Sequence, residues 1–281
     1  MKLAHTLLLI FAAIAPACFF YGAETRPEMA IPQQAPGNRS PVLVELFTSE
    51  GCSSCPPADA LLAKLELQQP VPGAEVIALE EHVDYWNQQG WMDPFSSEQW
   101  TERQQRYAAA RHNEGIYTPQ MVINGRAEFV GSRERQARQE IEQAAQIPLT
   151  KILLHSLAAD KKDAERFSVS VGKLSISAGD TAEVWFAVTE SGLHSAVARG
   201  ENAGTDVHHA AVVRWLHKLG PGDPGKEPSY SAEPTVKLDR SWNRHNLRAI
   251  VFVQEKRGLR ILGAAAMAIE SESAVSRNSS K

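Results

Sequence analysis

The sequence predicts an α/β domain followed by a smaller antiparallel β domain of sandwich-like type. Before Pro148, short apolar stretches typical of strands alternate with helical stretches, in the order β-α-β-α-β-β-α. After Pro148, apolar and polar residues alternate with period 2 and no helical pattern appears, which is typical of antiparallel sheets. The expected boundaries are residues 41–147 for the α/β domain and 148–270 for the β domain.

The elements of the α/β domain follow from local patterns. The apolar, β-branched run at residues 42–47 is typical of a strand buried on both faces. A helix is predicted from Pro56, because proline is tolerated in a first helical turn and the apolar residues that follow form one stripe. The remaining predicted elements are a strand at 75–79, a polar helix at 97–112, a hairpin of strands 120–123 and 127–130 around Asn124-Gly125, and a helix at 132–146.

The segments outside these elements have different compositions. Residues 24–40 are rich in proline and polar side chains without periodicity, so they are predicted to be a linker, and residues 271–281 are predicted to be a disordered tail. The strands of the β domain are predicted at 167–171, 184–188, 211–216, 247–253 and 259–269.

Residues 1–23 predict export. Lys2 precedes an apolar run at residues 7–14 and an Ala-Pro-Ala site, the pattern of a secretory signal peptide. Two alternatives are an uncleaved membrane anchor and a lipidated Cys18. In all three cases the remainder of the chain is periplasmic or secreted, and membrane association is expected only if the leader is retained or Cys18 carries lipid.

Composition excludes two classes of protein. The formal net charge of −4 argues against a dedicated nucleic-acid binder, which needs a clustered basic surface. The chain has only three cysteines, Cys18 in the leader and the pair Cys52 and Cys55, so it is not a disulfide-stapled scaffold.

The Cys52-Ser-Ser-Cys55 motif lies between a predicted buried strand and a predicted helix. The N-terminus of a helix favours an anion, which lowers the pKa of a nearby thiol and makes it reactive. This placement predicts Cys52 as the attacking thiolate and Cys55 as the resolving thiol. The alternative is a local disulfide with a structural role, which so short a ring explains weakly.

Thr118-Pro119 opens the third strand, the position at which the thioredoxin fold has its cis-proline. There the backbone of Thr118 could pair with an extended peptide substrate. The alternative is a trans proline at the start of an edge strand.

Two further residues are candidates for the site. Glu45 interrupts an apolar strand and could exchange protons with Cys55, or it could be a paired carboxylate of the core or point to solvent. His82 follows the second strand, so it either orders a loop or completes a metal site with Cys52 and Cys55. His208, His209 and His217 are not expected to share an ion with one another, because their spacing on strands separates them.

The strings CSSCPPAD from Cys52, HVDYW from His82 and YTPQMV from Tyr117 are distinctive. Together they resemble an uncharacterised family of secreted, thioredoxin-like bacterial proteins, known as a domain of unknown function. The resemblance covers about residues 40–270, including the loop 199–204. It implies a thioredoxin-like fold with Cys52 and Cys55 as redox cysteines and Pro119 as the cis-proline. Glu80-Glu81 departs from the expected pattern, and two acids beside the site would disfavour a thiolate.

The sequence therefore predicts an exported thiol–disulfide oxidoreductase that acts through a mixed disulfide on a protein or small-molecule substrate, without a cofactor. One alternative is a periplasmic Cu(I)- or Zn-binding chaperone or sensor that uses the same cysteines. A second is a non-catalytic, partner-binding protein on a thioredoxin scaffold.

Overall fold

The computed structural model of the chain describes residues 39–158 and 163–269. The predicted leader, nearly all of the predicted linker and the predicted C-terminal tail lie outside the described residues. No helix among residues 39–158 and 163–269 is long and apolar enough to cross a membrane.

The first half has the order of elements that the sequence predicts. Its strands and helices are β1 (Ser40–Thr48), α1 (Pro56–Gln68), β2 (Ala74–His82), α2 (Glu98–Arg111), β3 (Gln120–Ile123), β4 (Ala127–Val130) and α3 (Glu134–Ala145). Strands β1 and β2 are parallel, and β3 pairs antiparallel with both β1 and β4.

The second half contains only strands and a short 3₁₀ helix at Arg244–Asn246 in its described part. These strands are β5 (Ile152–Leu157), β6 (Ala164–Val171), β7 (Ala182–Glu190), β8 (Leu193–Ala196), β9 (Asp206–His209), β10 (Val212–Gly222), β11 (Tyr230–Ala232), β12 (Thr235–Lys237), β13 (Leu247–Glu255) and β14 (Ile261–Ala268).

The strands from both halves join in one sheet, which corrects the prediction of two domains divided at residue 148. The eight-stranded order is β14-β13-β7-β10-β2-β1-β3-β4, and β10 meets β2 through the pair Val212 and Glu80. The described residues belong to one compact unit. Period-2 patterning identifies which faces of a strand are buried but not which strand lies beside it, so the sequence did not reveal this junction.

The large sheet is covered on both faces. Helices α1 and α3 pack on one face of β1–β3, and α2 packs on the other through Trp100 and Tyr107. Beyond β10, a four-stranded sheet of β5, β6, β11 and β12 packs on β7 and β13, where Phe167 and Phe186 lie with ring centroids 5.0 Å apart.

The candidate site lies where β1 and β2 end. These parallel strands run in register, so Thr48 at the end of β1 pairs with His82 at the end of β2. Proline occupies the first two positions of α1, where its missing N–H costs no helical hydrogen bond. The cysteine motif thus fills the turn between a strand end and a helix start.

Candidate functional site

Cys52 and Cys55 form a disulfide with their Cα atoms 5.4 Å apart. Both cysteines are fully buried, whereas Ser53 and Ser54 between them are exposed. Cys55 is the N-cap of α1, and its carbonyl accepts hydrogen bonds from the backbone N–H groups of Ala58 (2.8 Å) and Asp59 (3.1 Å). The helix therefore begins at the second cysteine, as the sequence predicts.

The loop 199–204 packs on the cysteine motif, although sequence reasoning found no chemistry in it. Asn202 Nδ2 donates to the carbonyls of Glu50 (2.9 Å) and Cys52 (3.0 Å), and the N–H of Ser53 donates to Glu201 Oε2 (3.1 Å). The only signal in the sequence was the presence of this loop in the family resemblance. Its contacts hold the backbone of the motif and cover it.

The Thr118–Pro119 peptide bond is cis, which confirms that part of the prediction. Thr118 Oγ1 accepts a hydrogen bond from Trp86 Nε1 (2.8 Å). Trp86 also packs closely on Gly51, because a Cβ atom added to Gly51 would lie only 3.2 Å from the Cβ atom of Trp86. Trp86 thus connects the cis-proline segment to the residue that precedes Cys52.

Glu45 belongs to a network on the α2 face of the sheet. Glu45 Oε1 accepts from Arg103 Nε (2.6 Å) and Glu45 Oε2 from the Tyr107 hydroxyl (2.5 Å). Of the two alternatives for Glu45, this arrangement matches the paired core carboxylate, and both of its oxygens are engaged away from Cys55. We call this network the arginine cluster; its members are Glu45, Glu81, Arg103, Tyr107 and Gln254.

Glu81 also lies in the arginine cluster, with Oε1 3.2 Å from Arg103 Nε. Burial, countered in part by Arg103, raises the pKa of Glu81 well above its ordinary value. Because adjacent residues of a strand face opposite sides, only Glu80 of the Glu80-Glu81 pair lies on the α1 face. The expectation that both Glu80 and Glu81 lie on the side of the cysteines is therefore wrong for Glu81.

Asp59 is the buried carboxyl of α1, four residues after Cys55, and sequence reasoning did not select it. Asp59 Oδ1 accepts from the Thr48 hydroxyl (2.6 Å), and the residue is 3% exposed. Burial and the negative charge of Glu80, opposed in part by His209 and by the Thr48 hydrogen bond, raise the pKa of Asp59 to about 7. A pKa near neutrality suits a group that exchanges protons at physiological pH.

A second buried network, the histidine cluster, lies on the α1 face. Its members are Glu50, Glu80, His82, Asp93 and His209. His209 Nδ1 lies 2.8 Å from Glu80 Oε1, and His82 Nε2 lies 3.6 Å from the same oxygen without a hydrogen-bond partner. The two imidazole rings meet edge-on with centroids 4.6 Å apart.

Two carboxylates hold the far nitrogens of these imidazoles. His82 Nδ1 lies 2.7 Å from Asp93 Oδ2, and His209 Nε2 lies 3.2 Å from Glu50 Oε1. Glu50 is fixed in turn, because its Oε2 accepts from Trp91 Nε1 (2.7 Å) and its backbone N–H donates to Asp93 (2.8 Å). Each ring is thus oriented by an acceptor on the side away from Glu80.

The carboxylates determine the proton affinities of the histidines. Burial lowers the pKa of His82, but the adjacent Asp93 carboxylate outweighs it and raises the pKa well above the ordinary value. Burial likewise lowers the pKa of His209, but Glu80 and Glu50 outweigh burial and together raise this pKa to about 9. The interaction with His209 outweighs burial at Glu80 and lowers its pKa.

The predicted alternative metal set of Cys52, Cys55 and His82 is not brought together, because the sulfurs are bonded to each other and His82 Nε2 faces Glu80. Among the residues that the structure describes, the side chains able to offer a metal three close ligand atoms are Glu80, His82 and His209, with all ligand atoms within 4.8 Å of one another. His209 lies on β9, far from His82 in sequence, so spacing alone did not pair them.

A cleft of about 640 Å³ opens beside this site, between α1 and the β8–β9 hairpin. Its lining includes Pro56, which follows Cys55, together with Asp59 and His209. The cleft therefore borders the start of α1 and the wall of the histidine cluster, whose ligand side chains are fully buried.

Two solved structures resemble this chain. A protein of Agrobacterium tumefaciens has 28% sequence identity and a TM-score of 0.58, with 82% of this chain and 95% of that chain covered. HBP35 of Porphyromonas gingivalis has 15% identity and a TM-score of 0.57, with 82% of this chain and 76% of that chain covered, and this likeness concerns the fold alone. No curated protein matches the sequence.

A family model described as "protein of unknown function (DUF1223)" matches residues 43–254. The matched segment contains the disulfide, the cis-proline, the loop 199–204 and both buried clusters up to Gln254. Because it covers well over half of the sequence, the chain belongs to this family.

Proposed function

We propose that this protein is an exported thiol–disulfide oxidoreductase with Cys52 and Cys55 as its redox couple and a thioredoxin-like fold in residues 41–147. The observation that carries the proposal is a disulfide at the start of α1 that is linked through Gly51 and Trp86 to the cis Thr118–Pro119 segment. The sheet order β2-β1-β3-β4 and the parallel pairing of β1 and β2 support the fold assignment. The apolar leader supports export.

The reductive direction proceeds in two displacements. The Cys52 thiolate attacks one sulfur of a substrate disulfide, which forms a Cys52–substrate disulfide and releases one substrate thiolate. The Cys55 thiolate then attacks the Cys52 sulfur, which forms the Cys52–Cys55 disulfide and releases the second substrate thiolate. Two electrons pass from the protein to the substrate, and an exported dithiol reductant must restore the reduced pair. The oxidative direction is the reverse.

Asp59 replaces Glu45 as the proposed proton acceptor for Cys55. Asp59 lies one helical turn after Cys55 and titrates near neutrality, so it can take the thiol proton when Cys55 becomes the attacking group. Glu45 has both oxygens bound by Arg103 and Tyr107 on the opposite face of the sheet.

Access to the disulfide requires the loop 199–204 to move, because both cysteines are fully buried beneath their surroundings. The loop contacts the motif through the two Asn202 hydrogen bonds and the one to Glu201, and Gly200 packs against Trp91. A substrate peptide that competes for these groups can expose Cys52.

The test is insulin reduction by dithiothreitol, with the wild-type chain compared with Cys52→Ser and Cys55→Ser. Wild type is expected to accelerate insulin precipitation, Cys52→Ser is expected to be inactive, and Cys55→Ser is expected to accumulate mixed disulfides because the resolving thiol is missing. A scrambled disulfide substrate in a glutathione buffer tests the isomerising and oxidising directions. Wild type indistinguishable from Cys52→Ser in both assays would refute the proposal.

A further inference from the structure

The histidine cluster contains three ligand atoms that point at one another in a buried volume. Glu80, His82 and His209 have completely buried side chains, and their ligand atoms lie within 4.8 Å of one another. Two atoms that are each bound at about 2.0–2.1 Å by a tetrahedral Zn²⁺ lie roughly 3.3 Å apart. The observed separations from Glu80 Oε1, 2.8 Å to His209 Nδ1 and 3.6 Å to His82 Nε2, lie on either side of that value.

One ring nitrogen of each histidine faces Glu80, and the other faces a second carboxylate. A carboxylate can only accept a hydrogen bond, so His82 Nδ1 donates to Asp93, whereas His209 lies between Glu80 at 2.8 Å and Glu50 at 3.2 Å. His82 Nε2 lies 3.6 Å from Glu80 Oε1 and is buried without any hydrogen-bond partner. A carboxylate behind each metal-bound histidine is the usual arrangement in metalloproteins.

The charges of the cluster suit a divalent cation. Glu50, Glu80 and Asp93 are the carboxylates that face the two imidazoles, whose ring centroids lie only 4.6 Å apart. A divalent ion between the rings would place its positive charge close to these carboxylates.

We propose that Glu80, His82 and His209 bind one divalent transition-metal ion, for which Zn²⁺ is the probe. Two imidazole nitrogens and one carboxylate select such an ion over Mg²⁺ or Ca²⁺, which prefer oxygen ligands. His209 lines the cleft between α1 and the β8–β9 hairpin, so an ion would enter from this side, past a side chain that is itself fully buried. The two cysteines take no part in this site.

The experiment measures Zn²⁺ affinity by competition with a chromophoric chelator, on untagged full-length chain first treated with EDTA. One Zn²⁺ per chain is expected for wild type and for the double variant Cys52→Ser/Cys55→Ser. His209→Gln is expected to weaken binding by more than about 100-fold, because even loss of a residue that only hydrogen-bonds to a metal ligand costs about 10–100-fold. His208→Gln is the matched control, since this neighbouring histidine is exposed and lies outside the cluster, and it should bind as wild type does.

Two additions keep the test decisive if a buried histidine variant fails to fold. Glu80→Gln preserves the shape of the side chain but removes the charge of the ligand. Circular dichroism verifies that this variant is folded, and its affinity for Zn²⁺ is expected to fall as that of His209→Gln does. Co²⁺ bound to wild type should give visible d–d bands without thiolate charge-transfer absorption. Absence of binding by folded wild type, unchanged affinity in folded His209→Gln and Glu80→Gln, or loss of binding in the double cysteine variant would each overturn the proposal.

Discussion

The arginine cluster and the histidine cluster lie on opposite faces of the same two strands and differ in the groups that face their buried carboxylates. Arg103 lies between Glu45 and Glu81, and Tyr107 donates to the second oxygen of Glu45, whereas neither oxygen of Glu81 has a hydrogen-bond partner. The histidine cluster has two imidazoles in place of the guanidinium, leaves His82 Nε2 without a partner and borders a cleft next to the cysteine motif. Buried carboxylates and unpaired polar atoms are thus common to both clusters, whereas the imidazole ligands and the neighbouring cleft distinguish the candidate site.

The largest expected effect concerns stability and the arginine cluster. Arg103→Met leaves Glu45 and Glu81 buried without a cation, so we expect a loss of about 3–5 kcal/mol in the free energy of unfolding. Urea denaturation at pH 7 measures it. The control is Arg106→Met, a half-buried arginine of the same helix stacked over Trp185, with an expected loss below about 1 kcal/mol. Equal losses in the two variants would contradict a structural role for the arginine cluster.

The pH dependence of stability tests Asp59 on the other face. Its pKa is raised from the ordinary 3.8 to about 7, so between these values the folded chain retains a proton that the unfolded chain releases. The contribution of this group to stability is therefore complete below about pH 4 and is lost as pH rises through 7.

Asp59→Asn cannot titrate, so the stability of wild type relative to this variant should fall between these two pH values and level off above them. Urea denaturation across this range, with EDTA present, provides the measurement, and Glu102→Gln on the exposed side of α2 controls for removal of one carboxyl. A difference between wild type and Asp59→Asn that stays constant with pH would show that Asp59 is not perturbed.

The reactivity of Cys55 tests more directly whether Asp59 or Glu45 is its proton acceptor. In the reduced chain, Asp59→Asn removes a negative charge near Cys55 and should move the pH profile of Cys55 alkylation down by about one pH unit, since a like charge raises a thiol pKa. Glu45→Gln should leave the profile unchanged, because its carboxylate lies in the arginine cluster. Alkylation followed by mass spectrometry gives both profiles, and the opposite pattern would restore Glu45 as the proton acceptor.

The smallest expected effect concerns the loop 199–204. Asn202→Ala removes two hydrogen bonds to the backbone around Cys52, each worth about 0.5 kcal/mol, and should speed reduction of the disulfide by dithiothreitol by about 5-fold. Asn113→Ala, an exposed asparagine away from the site, should react as wild type does. A rate unchanged in Asn202→Ala would mean that the loop does not limit access.

Local features of the site could be predicted from the sequence, and contacts across the sheet could not. The strand–CxxC–helix order and the cis-proline follow from patterns of a few residues. Strand alternation also assigns Glu80 and Glu81 to opposite faces, but it does not say which face carries α1, so it left open whether Glu45 faces Cys55 or pairs within the core. His209 and Asn202 reach the site from the second half of the chain because β10 joins β2, a pairing that no local pattern encodes.

The reduction potential of the Cys52–Cys55 pair, measured by equilibration with glutathione or dithiothreitol, tests the central claim that this disulfide is a redox couple. Known CxxC oxidoreductases lie between about −270 and −120 mV. We expect a value within this range for wild type. A value below about −300 mV, where structural disulfides resist reduction by glutathione, would contradict the proposed function.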